Sequence, residues 1–197
     1  MTSDQLDRKT AERKRLLTAR RAVPAADRAA EASALAAHVL ELVTTFDITP
    51  GGTVCAYLAV GSEPGSVGVL DALRSAGYRV LLPIVVGAAP LDWCEYTGEH
   101  ALQPGPHGLR EPSGAPLGSG VVSEAALVLV PALAVDHRGV RIGKGGGHYD
   151  RSLPLTTAPL VAVVRDPEVL AAELPVEPHD VRMTGVLTPS GFRALPM

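Results

Sequence analysis

The sequence is poor in cysteine and in aromatic residues, and it contains no long hydrophobic run. Two cysteines among 197 residues are too few for a disulfide framework or a zinc site. Because Cys55 and Cys94 lie in apolar stretches, we expect both to be buried in the core. The longest apolar segment, residues 125–135, is far shorter than the ~20 residues of a membrane span. The first ten residues lack the apolar segment of a signal peptide. We therefore expect a cytoplasmic protein without membrane association.

A strong excess of charge is also lacking. The net charge is −3 and the isoelectric point about 6.1, so no overall basic field draws the protein to nucleic acid. Eight of the 18 Lys and Arg residues lie in the first 28 residues, but no aromatic residues are interleaved with them as in a nucleic-acid surface. Hydrophobic residues make up 46% of the chain, which excludes a disordered protein. The length fits a single domain over residues 1–197.

The predicted secondary structure indicates an α/β fold. Residues 4–45 have a helical pattern that breaks at Pro24, a residue that suits a helix start. A further helix is predicted over residues 66–76. Residues 103–120 are rich in Gly and Pro and predict a long surface loop. A loop of this length in a compact domain more often has a function than not. Apolar and β-branched runs predict strands over residues 53–59, 79–86, 91–96, 126–130, 160–164 and, at an edge, 181–187. The first strand–helix–strand unit implies a parallel pair with a right-handed crossover.

The most informative segment is residues 141–150, RIGKGGGHYD. Its four glycines in five positions expose backbone N–H groups that can hold an anion, and Lys144, one of three lysines in the chain, adds a positive charge. Asp150 could hold a metal bound to phosphate oxygens, because magnesium is usually bound by one or two carboxylates plus phosphates. The spacing matches neither a Walker A motif nor a dinucleotide-binding motif. We interpret the segment as a phosphate-binding loop; the alternative is a flexible turn with a solvated lysine.

Basic and acidic residues elsewhere could join this loop. Lys9 and Arg13 lie four residues apart on one helical face, where a bound anion would relieve their repulsion; the alternative is a solvated basic helix. Glu63 follows the first strand, where α/β proteins bind ligands, and could instead cap the next helix. The pair His179-Asp180 could bind a metal or form an ordinary turn.

One aromatic residue is expected to line a cleft. Trp93 and Tyr96 lie at odd spacing in the same predicted strand, so their side chains face opposite sides of the sheet. We expect one of the two to be available to a ligand.

Together these segments resemble the 5-formyltetrahydrofolate cyclo-ligase family, also called methenyltetrahydrofolate synthetases. Residues 130–150 are similar to the family pattern V-P-G-L-A-F-D-x-x-G-x-R-L-G-[RK]-G-G-G-Y-Y-D. Lys9 and Arg13 match its N-terminal helix and Glu63 its glutamate after the first strand. Residues 108–112 resemble its G-I-x-E-P and residues 179–180 its H-D.

The chain departs from the family pattern in several positions. Ala132 replaces the usual glycine, and His148 replaces the first tyrosine of Y-Y-D. Residues 63–66, EPGS, replace a typical E-[VI]-x-T.

The resemblance implies a fold and a reaction. The fold is a single three-layer α/β/α domain with a largely parallel sheet, similar to sugar-phosphate isomerases and CoA transferases, preceded by a basic N-terminal helix. The reaction converts 5-formyltetrahydrofolate to 5,10-methenyltetrahydrofolate with ATP as co-substrate and Mg²⁺ as cofactor, releasing ADP and phosphate. The formyl oxygen attacks the γ-phosphate, N10 closes on the activated carbon, and phosphate leaves. The partners are small molecules only, and the protein is a monomer.

The resemblance also implies roles for individual residues. The catalytic residues are Lys144 and Arg141, and the magnesium ligands are Asp150 and Asp180. The ATP-binding residues are Lys9, Arg13, Arg141, Ile142, Gly143, Lys144, Gly145, Gly146, Gly147, His148 and Tyr149. The residues that bind the folate are Leu58, Glu63, Trp93, Lys144, His148 and Tyr149.

Two other functions remain open. The departures at residues 64 and 148 are compatible with a relative that binds folate or nucleotide without catalysis. A sugar-phosphate isomerase on the same fold would use a carboxylate base such as Glu63 or Asp150 and would need neither ATP nor the basic pair.

Overall fold

The computed structural model describes residues 3–105, 110–177 and 180–196, with side chains from residue 8 onward. The α-helices of this part of the chain are α1 (Ser3–Ala22), α2 (Ala25–Thr45), α3 (Val67–Ser75) and α4 (His148–Ser152). The strands are β1 (Thr53–Cys55), β2 (Arg79–Ile84), β3 (Asp92–Glu95), β4 (Leu102–Pro104), β5 (Arg110–Pro112), β6 (Ala125–Pro131), β7 (Ala134–Asp136), β8 (Arg141–Ile142), β9 (Leu160–Val163), β10 (Val169–Leu170), β11 (Gly185–Thr188) and β12 (Gly191–Ala194). None of the helices in these ranges is both long and apolar enough to cross a membrane.

The central sheet has the strand order β12-β11-β9-β6-β1-β2-β3. Its five inner strands are parallel, and β3 and β12 are antiparallel to their neighbours. The chain moves from β1 to β2 in one direction and then returns to β6 on the other side of β1. The strand order therefore reverses between β1 and β6, and a crevice outside the carboxyl ends of the strands at such a point is where open α/β sheets bind ligands.

The side chains of the parallel strands alternate between two core clusters, one on each face of the sheet. On β1, Val54 packs with the residues of α2 and α3, whereas Cys55 packs on the opposite face, against the cluster that contains Val122 and Leu153. This period-two burial follows from strand geometry. Helices α2 and α3 cover the first face, and the short α4 with 3₁₀ turns at Ser119–Glu124 and Leu153–Leu155 covers the second. The result is a mixed α/β fold with a large, mostly parallel sheet, as predicted.

Both cysteines are buried and free, which confirms that they are core residues. Burial raises the pKa of the Cys55 thiol to about 12, so this side chain stays protonated and unreactive at neutral pH.

Helix α1 lies against a second, three-stranded sheet with the order β10-β7-β8. Leu16 contributes to an apolar cluster with Leu133, Val140, Ile142 and Leu174. The break between α1 and α2 at Pro24 is as predicted. The small sheet was not predicted. Its strands are two or three residues long, too short to give a periodic pattern.

Two predictions about the sheet are wrong. Residues 103–120 are not one loop, because they contain the hairpin strands β4 and β5 and the start of a 3₁₀ turn; residues 106–109 lie outside the described part. The last predicted strand is not at an edge, because β11 lies between β9 and β12. On the edge strand β12, the ring of Phe192 packs edge-on against Phe46, the residue that follows α2, with 5.5 Å between the ring centroids.

Candidate functional site

A cavity of about 280 Å³ opens at the carboxyl ends of β1, β2 and β6. The loop after β1 contributes Leu58 and Glu63, and the segment after β6 contributes Ala132. Helix α1, residues 141–150, strand β5 and Asp180 line the remaining sides. The cavity therefore lies at the point where the strand order reverses, as the topology predicts.

The glycine-rich segment forms a loop whose conformation depends on glycine at two positions. Gly145 and Gly147 have φ angles of +100° and +66°, in the region that residues with a Cβ rarely adopt. A Cβ on Gly147 would also lie 2.7 Å from Nη1 of Arg151. Nη2 of Arg151 donates to the carbonyl of Gly146 at 3.1 Å and lies 3.1 Å from Nδ1 of His148, so this arginine braces the loop.

Lys144 extends from this loop to Glu63, and the Nζ–Oε1 distance is 2.6 Å. The other carboxylate oxygen of Glu63 accepts a hydrogen bond from the N–H of Val60 at 2.9 Å. Ser66, not Glu63, caps α3 by accepting from the N–H of Gly68. Glu63 therefore faces the cavity rather than capping the helix.

Lys9 and Arg13 face the cavity, and both have protein partners. Lys9 is buried, with its Nζ 3.0 Å from Glu177 and 3.2 Å from Asp180. Nε of Arg13 donates to the carbonyl of Gly143 at 3.1 Å. Lys9 is thus buried and Arg13 half-buried, and a fully solvated basic helix is excluded for this face of α1.

The two predicted metal ligands line the same cavity, but each is bound to a cation. Asp150 accepts a hydrogen bond from Nη2 of Arg141, and Asp180 accepts from Lys9 and from the N–H of Glu177. Within the described ranges no group of three or more His, Cys, Asp or Glu side chains is arranged to bind a metal. Magnesium takes one or two carboxylates and fills its other positions with phosphate and water, so Asp150 and Asp180 stay a predicted magnesium site. His179 lies outside the described residues.

Two residues that line the cavity each carry a buried polar atom with no hydrogen-bond partner within the part of the chain that the structure describes. These atoms are Oη of Tyr149 and Nε of Arg141. Burial, followed by the neighbouring Tyr57 and Glu63, raises the pKa of Tyr149 well above its usual value. The phenol therefore stays protonated at neutral pH. A buried donor without a partner is costly, and these two belong to residues that line the cavity.

The prediction that Trp93 contacts the substrate is corrected by the structure. Its side chain is fully buried in the core cluster of Cys55 and Leu153, and it does not line the cavity. Tyr96 is also buried, with its hydroxyl donating to Asp71 at 3.0 Å. The expectation that one of the two lines a cleft is wrong, because helices cover both faces of this strand.

The other residues predicted to bind ATP or folate lie around the cavity. Ile142 also packs into the apolar cluster under α1. Arg20 and Tyr57 are among the cavity residues that the sequence analysis missed. Arg20 shares a helical face with Arg13, seven residues earlier, which is the signal that could have identified it.

A family model that is described as the 5-formyltetrahydrofolate cyclo-ligase family matches residues 5–189. The chain belongs to the 5-formyltetrahydrofolate cyclo-ligase family. It is thus an enzyme of a ligase family that acts in folate metabolism. Cyclo-ligase relatives include the Mycolicibacterium smegmatis protein, 49% identical over 88% of this chain and 90% of that protein. The Escherichia coli cyclo-ligase is 31% identical over 70% of this chain and 78% of its own.

Solved structures of the family share the fold. The Aquifex aeolicus 5,10-methenyltetrahydrofolate synthetase superposes with a TM-score of 0.79 at 23% identity, covering 96% of this chain and 93% of its own. The Mycoplasma pneumoniae synthetase gives 0.73 at 17% identity, covering 92% and 98%. The mixed α/β architecture is therefore that of methenyltetrahydrofolate synthetases.

Proposed function

We propose that this cyclo-ligase converts 5-formyltetrahydrofolate to 5,10-methenyltetrahydrofolate with consumption of ATP. The observation that carries the proposal is the pairing of Lys144, from the glycine-rich loop, with Glu63, from the loop after β1, across one cavity. A cation suited to phosphate and a carboxylate suited to a ring N–H thus lie side by side. Such an arrangement would bring a nucleotide and a heterocyclic substrate close together.

The phosphate side of the site supplies charge and backbone donors. In the proposed reaction the formyl oxygen bonds to the γ-phosphorus while the bond to ADP breaks. This phosphoryl transfer needs positioning and charge neutralisation more than covalent help. Lys144 and Arg141 would neutralise charge on the transferred group, Lys9 and Arg13 would bind the nucleotide phosphates, and residues 143–147 would donate backbone N–H groups.

The folate side of the site combines apolar and polar walls. Leu58 lines the cavity as an apolar wall, and Glu63 would accept hydrogen bonds from the pteridine ring. The buried phenol of Tyr149, without a partner among the described residues, would donate to a substrate oxygen. His148 would contact both ligands from the start of α4. No protein base is required in the first step, because the attacking formyl oxygen carries no proton.

Asp150 and Asp180 would hold a magnesium ion against the ATP phosphates. When bound, the ion would neutralise phosphate charge. The change that this requires of the protein is the release of Asp150 from Arg141 and of Asp180 from Lys9. The freed cations would then be available to the phosphates. Action as a cytoplasmic monomer without nucleic acid stays a prediction.

The test is spectrophotometric. Purified protein is mixed with 5-formyltetrahydrofolate, Mg²⁺ and ATP, and methenyl absorbance is followed together with ADP release. We expect one ADP per methenyl product and neither without ATP. Lys144→Ala should lower kcat/KM at least about 100-fold, because one preorganised charge donor contributes that much. Lys14→Ala is the matched control, since Lys14 lies exposed on α1 and off the cavity.

Product formation without ATP would refute the proposal. Binding of both ligands without turnover would identify a non-catalytic relative. Near-normal activity of Lys144→Ala would remove Lys144 from the mechanism.

A further inference from the structure

A single buried carboxylate, Glu168, connects two arginines that support opposite sides of the cavity. The carboxylate accepts from Nε of Arg20 at 2.6 Å and from Nη2 of Arg20 at 2.7 Å. It also accepts from the backbone N–H of Arg165 at 2.8 Å, and the guanidinium of Arg165 lies 3.8 Å away. All three residues are buried. Charges buried to this degree are costly unless paired, so these contacts hold their elements in defined positions.

Arg20 connects Glu168 to the nucleotide side of the site. It lies near the end of α1, seven residues after Arg13 and eleven after Lys9, so all three side chains project from one face of the helix. Nη2 of Arg20 also donates to the carbonyl of Ala132 at 2.5 Å, just after β6. A bidentate pair fixes direction as well as distance. The pair between Arg20 and Glu168 therefore sets the rotation of α1, and with it the placement of Lys9 and Arg13.

Arg165 connects the same carboxylate to the folate side. Its Nη1 donates to the carbonyl of Ser62 at 2.9 Å, and Ser62 directly precedes Glu63. Its Nε donates to Glu31 of α2 at 2.6 Å. Arg165 thus ties the loop that carries Glu63 to the main helical layer. Neither Arg165 nor Glu168 lines the cavity, so both would act through other residues.

We infer that Glu168 is a positioning residue that aligns the two halves of the site, through Arg20 for ATP and through Arg165 for the folate. The inference rests on the proposed function for the assignment of the two halves. This role differs from a purely structural one in a measurable way. Each arginine affects the binding of one substrate, whereas Glu168 affects the binding of both.

The experiment compares conservative variants that keep charge but lose the planar guanidinium, Arg20→Lys and Arg165→Lys, with Glu168→Gln. Lysine cannot form the bidentate contact. KM for each substrate and kcat are measured below the melting temperature of every variant. Equilibrium dissociation constants for ATP and for 5-formyltetrahydrofolate are measured separately. Arg138→Lys is the control, because Arg138 pairs with the buried Asp136 at 2.9 Å away from the cavity.

The expected pattern is a split. Arg20→Lys raises KM and Kd for ATP by about 10- to 100-fold and leaves those for the folate within about twofold, because a small misplacement of binding groups can cost that much. Arg165→Lys does the reverse, and Glu168→Gln raises both. Arg138→Lys lowers the melting temperature and leaves both constants unchanged.

Two results would overturn the inference: equal effects of both arginine variants on both substrates, or variants that lower the melting temperature alone. If a lysine variant does not fold, the double variant Arg20→Met/Glu168→Leu replaces it, since apolar replacement of a whole buried pair is often tolerated. It should raise the constants for both substrates. Failure of the proposed function is distinguishable, because it would already show as absent ATP-dependent turnover in the unsubstituted protein.

Discussion

Lys144 and Glu63, proposed to bind different substrates, are ion-paired to each other across the cavity at 2.6 Å. The carboxylate is largely buried, with 12% of its side chain exposed, whereas 54% of the lysine side chain is exposed. In the proposed function, a folate that displaces Lys144 from Glu63 would release this lysine for the phosphates. A nucleotide that draws Lys144 away would likewise release Glu63 for the folate.

This relationship predicts that the two substrates bind cooperatively. A non-hydrolysable ATP analogue should tighten binding of 5-formyltetrahydrofolate about two- to fivefold, since a partly exposed ion pair contributes about 0.2–1 kcal/mol. In Glu63→Gln the enhancement should disappear, while folate binding itself weakens. Titration calorimetry with and without the analogue measures both effects. Glu111→Gln, another carboxylate at the cavity, should keep the enhancement. An enhancement that persists in Glu63→Gln would contradict the role of the pair.

A second prediction concerns Asp150, which follows the glycine-rich loop. Asp150→Asn should raise the Mg²⁺ concentration for half-maximal activity at least about 10-fold. Removing a residue that only hydrogen-bonds to a metal ligand already lowers metal affinity by about that factor, and removing a ligand should lower it at least as much. Equilibrium binding of 5-formyltetrahydrofolate without metal should be nearly unchanged. Asp27→Asn, an exposed aspartate at the start of α2, is the control. An unchanged Mg²⁺ titration in Asp150→Asn would remove this residue from the metal site.

Much of the fold was predictable because it depends on local patterns. The alternation of Val54 and Cys55 between the two faces of the sheet follows from strand periodicity, and the break at Pro24 follows from its missing N–H group. The glycine-rich loop was identifiable because its composition is itself the signal. The alternation of side chains along its strand could not show whether Trp93 lines a cleft, because helices cover both sides of that strand.

Contacts between distant parts of the chain were not predictable. Lys9 and Asp180 are 171 residues apart in sequence, and no local pattern indicates that they meet. The same holds for Arg20 and Glu168, 148 residues apart. Helix α1 has a polar composition that suggests loose attachment in the absence of ligand. The structure shows instead that its charged face is satisfied by partners elsewhere in the chain.

The buried pairing of Lys9 changes what its removal should do. Lys9→Ala/Arg13→Ala should raise KM for ATP strongly and KM for the folate little. It should also lower the free energy of unfolding without ligand by about 1–3 kcal/mol, because Asp180 loses its charged partner and the carbonyl of Gly143 loses the guanidinium of Arg13. Chemical denaturation of the ligand-free protein measures the second effect. The control is Lys14→Ala/Arg21→Ala, two exposed cations of the same helix. Equal stability of the two double variants would show that the pair serves the ligand alone.

The last prediction concerns pH and lies away from the cavity, at Asp136. Burial alone would raise the pKa of this carboxyl. Hydrogen bonds from the backbone N–H groups of Leu174, Val140 and Arg138 and from the Arg138 guanidinium outweigh it, so the pKa lies below its usual value. A carboxyl whose pKa is lowered by folding stabilises the protein above its unfolded pKa of about 3.9, and this contribution is lost as the pH falls through the folded value.

Asp136→Asn should therefore lower the free energy of unfolding at pH ~7 by about 1–3 kcal/mol, the cost of leaving buried donors without a partner. The difference from the unsubstituted protein should stay constant down to pH ~5 and shrink below pH ~3.9, where the unfolded carboxyl takes up a proton, until the folded aspartate is protonated at its lowered pKa. Urea denaturation across this range measures it, with Asp27→Asn as the exposed control. Since Asp136 does not line the cavity, kcat of the folded variant should be unchanged. A stability difference that persists undiminished into strong acid would contradict the role of the charge. It would show that the asparagine amide destabilises the fold through its shape.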